Sequence, residues 1–158
     1  MWSANSPRRW RGTEIRVRNV KTLLIAIAVL EVATGVALIV APALTVVLLT
    51  GAALGAPGGV IVARVAGAAL SALGLACWLA RDDDGSRAAR GVVAGMLVYN
   101  GIAVAVLVYA ALGLKLAAIG LWPAVAVHVA LLVWCGVCLR HAKALAPVEA
   151  EPRTTLES

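Results

Sequence analysis

Long runs of apolar residues constrain this chain more than any other feature of its sequence. Each run is about 20 residues long or longer, which is enough to cross about 30 Å of hydrocarbon at about 1.5 Å per helical residue. The charged side chains within the runs are Glu31 and Arg64. We therefore predict transmembrane helices with these approximate bounds: 22–41, 59–80, 91–114 and 116–139.

The overall composition agrees with a membrane protein. The 158 residues are 62% hydrophobic, with a mean hydropathy of +0.94, whereas an ordinary soluble domain is about half apolar. Phe is absent, and the small residues Ala and Gly within the runs suit close helix packing in lipid. The sequence predicts an all-α polytopic protein, with a compact bundle of four transmembrane helices at 22–140, a basic arm at 1–21 and a C-terminal tail at 141–158.

The basic residues lie almost entirely on one side of the predicted membrane. Of the 14 Lys and Arg residues, all but two fall in the arm, the connection at 81–90 or the C-terminal end, the exceptions being Arg64 and Lys115. By the positive-inside rule, both termini are predicted to be cytoplasmic, in a bacterial inner membrane. The net charge of +6 then reflects orientation and contact with anionic lipid, and no nucleic-acid partner is expected.

The first outer connection contains a short apolar segment, "ALTVVLLTGAAL" at 43–54. This segment is too short to span the membrane, so it predicts an interfacial or re-entrant helix. Pro42 is a suitable first residue for that helix, because the fixed φ of proline fits the first helical turn.

A weak internal repeat relates the two halves of the chain. "TGVALIV" from Thr34 resembles "NGIAVAV" from Asn100, and Pro57 and Pro123 are separated by the same 66 residues. Two helical hairpins related by tandem duplication would explain the repeat. A chance match is the alternative, because Gly and Ala are common throughout the chain.

Polar residues on different predicted spans reach similar depths. Counted from the nearest basic residue at the cytoplasmic side, Glu31 and Asn100 lie about 15 Å deep and His128 about 18 Å deep. Tyr99 is next to Asn100, and Arg64 lies higher, at about 25 Å. We predict an inward polar cluster of these five residues.

Two interpretations of the cluster stay open at this point. Ionisable residues within a membrane usually mark a functional site, which favours a titrating Glu31 paired with its neighbours. Alternatively, Glu31 is neutral and hydrogen-bonded to Asn100 and His128 as a link between helices. In that case Arg64 extends its side chain outward to the membrane surface.

Small residues at helical spacing predict the packing surfaces. Gly91 and Gly95 form a G-x-x-x-G motif, and Gly67, Ser71 and Gly74 form a second small ridge. Such ridges let helices approach closely, either within the bundle or against a second protomer.

The cysteines are predicted to be packing residues. Cys135 and Cys138 form a C-x-x-C motif, and Cys77 is predicted to lie at a similar depth. The motif lies inside an apolar run near a reducing compartment and lacks a second ligand pair, so we expect no metal site and no cofactor.

Two resemblances to known families add to this interpretation. "LEVATG" at 30–35 resembles the first-helix carboxylate motif of the small multidrug resistance transporters, which also have four helices and one mid-membrane Glu. The longer outer connection and the strong basic bias of this chain depart from that family. Over roughly residues 22–140, with "ARVAGAALSALGLACWLAR", "YNGIAVAV" and "WPAVAVHVALL", the chain looks like the small uncharacterised four-helix membrane proteins of bacteria. This second resemblance implies the architecture and no activity.

The sequence leaves several functions open. The one that the sequence favours is a non-enzymatic accessory or scaffolding subunit whose small-residue ridges dock a membrane-protein partner or a second copy. The second is a proton-coupled carrier or channel for a small apolar or cationic molecule, with Glu31 as the titrating group. The third is a membrane enzyme acting on a lipid or quinone, with Glu31 and His128 as an acid–base pair.

Overall fold

A computed structural model describes residues 7–83 and 86–143, and their side chains from Asn19 to Asp83 and from Ser86 to Arg140. Helices are the only regular structure in these residues, which confirms the predicted all-α fold. The helices are α1 Pro7–Val40, α2 Pro42–Thr50, α3 Pro57–Ala80, α4 Arg87–Leu112 and α5 Leu121–Lys143. Helix α1 therefore extends back into the predicted basic arm as far as Pro7. Most of the predicted C-terminal tail lies outside the described residues.

The long helices have the length and composition of membrane spans. Within the described residues there are four such spans: Asn19–Val40, Pro57–Ala80, Arg87–Leu112 and Leu121–Arg140. Large apolar side chains are exposed along all of them, including Val40, Val65, Ile102 and Val133. A surface this apolar requires lipid rather than water around it. The chain is thus a small integral membrane protein.

Proline and glycine set the bounds of the short helix α2. Pro42 occupies its first turn, and the preceding Ala41 leaves the helical region, with φ −131° and ψ 58°, as residues before proline tend to do. Gly51 ends α2 in the left-handed conformation, with φ 75°, and its N–H donates to Val47 O at 2.8 Å. The predicted short helix after the first span is therefore present, and it begins at the predicted residue.

Two antiparallel hairpins build the bundle. Helix α1 packs mainly on α3, and α4 packs mainly on α5. The hairpins meet where α1 contacts α5 and α3 contacts α4, so α1 and α4 face each other diagonally. Two successive hairpins are the arrangement that the internal repeat predicts.

Glycines bring α1 and α3 into close contact. A Cβ atom added to Gly67 would lie 2.6 Å from Gly35 O and 2.9 Å from the Cβ of Leu38. A Cβ added to Gly74 would lie 2.9 Å from Ala28 O. The ridge of Gly67, Ser71 and Gly74 therefore faces α1, because no larger side chain fits between the two backbones.

The second glycine motif has a different environment. Gly91 and Gly95 are exposed on α4, and an added Cβ at either position would meet no described atom within 4 Å. This ridge does not seat α4 against the rest of the described bundle. Its small residues leave open space on the outer surface of α4.

The bundle has a basic end, where the membrane span of α1 begins at Asn19 and α3 ends at Ala80. There Lys21 Nζ donates to Asp82 Oδ1 at 2.6 Å, and Arg81 Nε lies 3.2 Å from Asp82 Oδ2. The hydrogen bond from Lys21, together with the charges of Arg81 and Lys21, lowers the pKa of Asp82 from its ordinary value of 3.8. The Arg81 guanidinium also lies 4.0 Å from the ring centroid of Trp78.

At the opposite end of the bundle, α2 contacts the chain segment that connects α4 to α5. Gly120 N–H donates to Leu48 O at 3.0 Å. A Cβ added to Gly51 would lie 2.7 Å from Ala117 O. This close backbone approach holds α2 over that end of both hairpins.

Candidate functional site

Glu31 lies on the buried face of α1. Glu31 is only 4% exposed. Ile27 and Gly35, one helical turn before and after it, are also buried, because residues four apart share one face of a helix. The helical period that directs the packing face of α1 toward the bundle thus directs Glu31 there as well.

Tyr99 is the hydrogen-bond partner of Glu31. The Tyr99 hydroxyl donates to Glu31 Oε2 at 3.2 Å. Tyr99 belongs to α4, which lies diagonally opposite α1, so this hydrogen bond crosses the centre of the bundle and joins the two hairpins.

Asn100 forms a second polar contact beside the first. Its residue is 0% exposed, its Nδ2 donates to Met96 O at 2.7 Å, and its Oδ1 lies 2.8 Å from His128 Nδ1. This contact joins α4 to α5 within the second hairpin. Asn100 and Tyr99 are neighbours in sequence and diverge by about 100° around the helix, so they reach different partners.

The two contacts form one group. The rings of Tyr99 and His128 meet edge to face, with centroids 5.8 Å apart and planes at 73°, a favourable geometry for aromatic pairs. Glu31, Tyr99, His128 and Asn100 are therefore connected in series, and we call them the central polar cluster. Within the described residues, no buried side-chain nitrogen or oxygen lacks a hydrogen-bond partner.

Arg64 lies outside the central polar cluster. Its side chain is exposed, and among the described residues it forms no hydrogen bond or ion pair. The buried positions of α3 include Ala63, Gly67 and Gly74, and Arg64 is displaced from this face by about 100° after Ala63. Of the two orientations left open by the sequence, the structure has the outward one.

The cysteines pack in the apolar core. Cys77, Cys135 and Cys138 are buried and form no disulfide, and they share one core cluster with Leu24 and Met96. Within the described part of the chain, no group of three or more His, Cys, Asp or Glu side chains has a metal-binding arrangement.

The sequence did not indicate which polar residue contacts Glu31. Depth alone favoured His128 and Asn100, because both lie near the height of Glu31. In the structure Glu31 instead accepts a hydrogen bond from Tyr99, and His128 is hydrogen-bonded to Asn100. The diagonal position of α4 decides this pairing, and the sequence carries no direct signal for it.

The geometry is that of a carboxyl group at the centre of a membrane bundle, held by a phenol and placed near an imidazole. Such a set can bind and release protons, and it can hydrogen-bond a polar ligand. Comparison of the chain with protein-family models, with curated proteins and with solved structures gives no match.

Proposed function

We propose that this protein is a proton-coupled carrier or channel for a small apolar or cationic molecule, with Glu31 as the titrating group. The observation that carries the proposal is the position of Glu31, a buried carboxyl that hydrogen-bonds Tyr99 across the centre of the bundle. Ionisable groups at this depth are expensive and usually serve ion pathways or proton relays.

The proposed coupling follows from hydrogen-bond chemistry. An ionised carboxylate accepts a strong, charge-assisted hydrogen bond from a phenol, whereas a protonated carboxyl accepts a weaker one and can itself donate. Protonation of Glu31 would therefore weaken its hydrogen bond with Tyr99. This hydrogen bond joins α1 to α4. Because these helices belong to different hairpins, a change in this bond would alter how the hairpins sit against each other, as in transporters built from repeats.

A flux measurement tests this function. Purified protein in liposomes with an internal pH-sensitive dye is given a pH gradient, with and without ethidium or tetraphenylphosphonium. We expect proton flux, or proton-linked cation uptake, that is lost in Glu31→Gln. The Gln side chain keeps the shape and hydrogen bonding of Glu but cannot ionise, so detergent stability should change little. Glu31→Leu, which also removes the hydrogen bonds, should be less stable.

Asp83→Asn is the matched control for this experiment. It removes a carboxylate from the exposed basic end and should leave flux unchanged. Equal flux in wild type and Glu31→Gln would reject the titrating role of Glu31. Absence of flux above protein-free liposomes in all conditions would reject a proton channel and carriage of these cations.

An accessory subunit is the second candidate function, and one observation favours it. Gly91 and Gly95 form a small-residue ridge with open space beside it on α4, where another helix would fit closely. Pull-down from mild detergent should recover a stoichiometric membrane-protein partner or a second copy, and Gly95→Leu should abolish that recovery. Recovery of monomer alone would contradict this function.

The enzyme hypothesis requires Glu31 and His128 to act as a pair. Among the described residues, the hydrogen bonds of the two side chains lead to different partners, with Tyr99 between them. No observation favours direct proton exchange between the carboxyl and the imidazole, so we do not propose an enzyme.

A further inference from the structure

The amide of Asn100 is held on both sides. Its Nδ2 lies 2.7 Å from Met96 O, and its Oδ1 lies 2.8 Å from His128 Nδ1. Met96 precedes Asn100 by one helical turn on α4, whereas His128 belongs to α5. Asn100 therefore fixes the imidazole of His128 relative to the backbone of α4.

Donor and acceptor chemistry determines the state of each atom in this series. A backbone carbonyl oxygen accepts and cannot donate, so the Asn100 NH₂ group must face Met96. The amide oxygen consequently faces His128, and this oxygen also only accepts. His128 Nδ1 must therefore carry a proton, and in the neutral imidazole the lone pair is left on Nε2.

We propose that Nε2 of His128 is a second proton-accepting atom of the central polar cluster, and that Asn100 is the positioning residue that makes Nε2 the acceptor. The inference rests on the proposed function for its biological role, and on the hydrogen bonds alone for the tautomer. Proton uptake at Nε2 gives an imidazolium that still donates from Nδ1 to Asn100. The ring can thus gain and release a proton without turning.

The surroundings of His128 are consistent with this role. Tyr99 of α4 meets its ring edge to face, and Glu31 of α1 lies beyond the Tyr99 hydroxyl. Cys77 of α3 and Cys135 of α5 are buried in the core cluster against which Tyr99 packs. Helix α2 contains no titratable side chain. An imidazolium at this place is attracted by an ionised Glu31, so the charge states of the two groups depend on each other.

Nitrogen NMR of the imidazole tests the proposal directly. The chain has two histidines, so His141→Gln leaves His128 as the single ¹⁵N-histidine signal in protein reconstituted into lipid vesicles. Spectra are recorded from about pH 4 to 8, a window that extends below the range in which histidines ordinarily titrate. We expect Nδ1 protonated and Nε2 bare at the upper end, and both nitrogens protonated at the lower end.

Variants of Asn100 separate a positioning role from a merely structural one. Asn100→Asp keeps an acceptor oxygen and should keep the Nδ1–H tautomer, whereas Asn100→Leu should give a mixture of tautomers. A neutral ring protonated on Nε2 in the wild-type protein would overturn the tautomer, and this result needs no variant. A bare Nε2 throughout the pH range would overturn the proton-accepting role.

The outcome is independent of the transport experiment. A His128 that titrates on Nε2 in a protein without proton flux would contradict the proposed function and uphold the proton site. Flux that depends on Glu31, with an imidazole that stays neutral, would uphold the proposed function and overturn this inference.

Discussion

At the scale of single residues, the central question is how a carboxyl group is tolerated inside an apolar bundle. Glu31 is buried, and its position is made acceptable by the hydroxyl of Tyr99 at 3.2 Å. A buried polar group without such a partner would cost about 1–3 kcal/mol. The hydrogen bond therefore explains why the fold accommodates Glu31, and the function proposed for Glu31 is a separate matter.

Removing the hydroxyl of Tyr99 should reveal this contribution. Tyr99→Phe keeps the ring that meets His128 but loses the donor to Glu31. We expect a loss of about 0.6–1.7 kcal/mol in the free energy of unfolding, between the average and the maximum that double-mutant cycles give for hydrogen bonds between membrane helices. Unfolding by denaturing detergent in mixed micelles measures this change.

Tyr109→Phe provides the control, because Tyr109 is on the same helix and is 63% exposed. It should leave unfolding unchanged. If Tyr99→Phe loses the same stability in a Glu31→Leu background, which lacks the acceptor, as in the wild type, a double-mutant cycle would show that the Tyr99–Glu31 bond contributes nothing.

The ion pair at the basic end predicts a response to acid. Because the hydrogen bond from Lys21 and the nearby charges lower the pKa of Asp82 below 3.8, its contribution to stability is present above this ordinary pKa. The contribution is lost as the pH falls through the lower pKa of the folded state. The thermal midpoint should therefore drop more between about pH 4 and pH 2 in the wild type than in Asp82→Asn.

Two controls accompany this measurement, a comparison at high salt and a variant of the neighbouring carboxylate, Asp83. Asp82 is exposed, so high salt should reduce the difference between wild type and Asp82→Asn. Asp83→Asn should retain the acid-dependent drop of the wild type. An identical pH profile for wild type and Asp82→Asn at low salt would count against the ion pair.

At the scale of helices, two glycine ridges with similar sequence patterns have different environments. Gly67 lies in the contact between α1 and α3, whereas Gly91 lies beside open space on α4. The G-x-x-x-G pattern does not distinguish them, since the spacing only places small residues on one helical face. Which neighbour covers that face is decided by how the hairpins associate.

Because of this difference, one added methyl group should destabilise the protein at Gly67 but not at Gly91. Gly67→Ala places a Cβ 2.6 Å from Gly35 O, so α1 and α3 must separate, at a cost of about 1–3 kcal/mol for an overpacked contact. Gly91→Ala meets nothing within 4 Å and should not destabilise the monomer. Thermal unfolding in detergent compares the two variants, and equal destabilisation would argue against the close α1–α3 contact.

At the scale of the whole molecule, the charge distribution predicts orientation. All but two of the 14 basic residues lie at the arm, the 81–90 connection or the C-terminal end, which favours one insertion with both termini inside. Reporter fusions after Ser158 and after Ala53 should report opposite compartments, with Ser158 cytoplasmic. A mixed signal at either position would show dual orientation and refute this expectation.

The sequence by itself determined the fold class, the long apolar helices and the short helix from Pro42. These features depend on local properties, namely the length of each apolar run, the fixed φ of proline, the conformational freedom of glycine, and the requirement that backbone groups in lipid be satisfied within a helix. Depth also follows from the sequence, because helical rise is constant. Glu31, Asn100 and His128 could therefore be placed at similar heights.

Only the tertiary structure decided which helices are neighbours and where each polar side chain points across the bundle. The outward orientation of Arg64 depends on the rotation of α3 about its axis. The hydrogen bond between Tyr99 and Glu31 depends on the diagonal position of α4. Helix packing in lipid is driven by shape complementarity between surfaces that are all apolar. Apolar runs of similar composition therefore fit many bundles, and close contacts such as that of Gly67 with Gly35 select one of them.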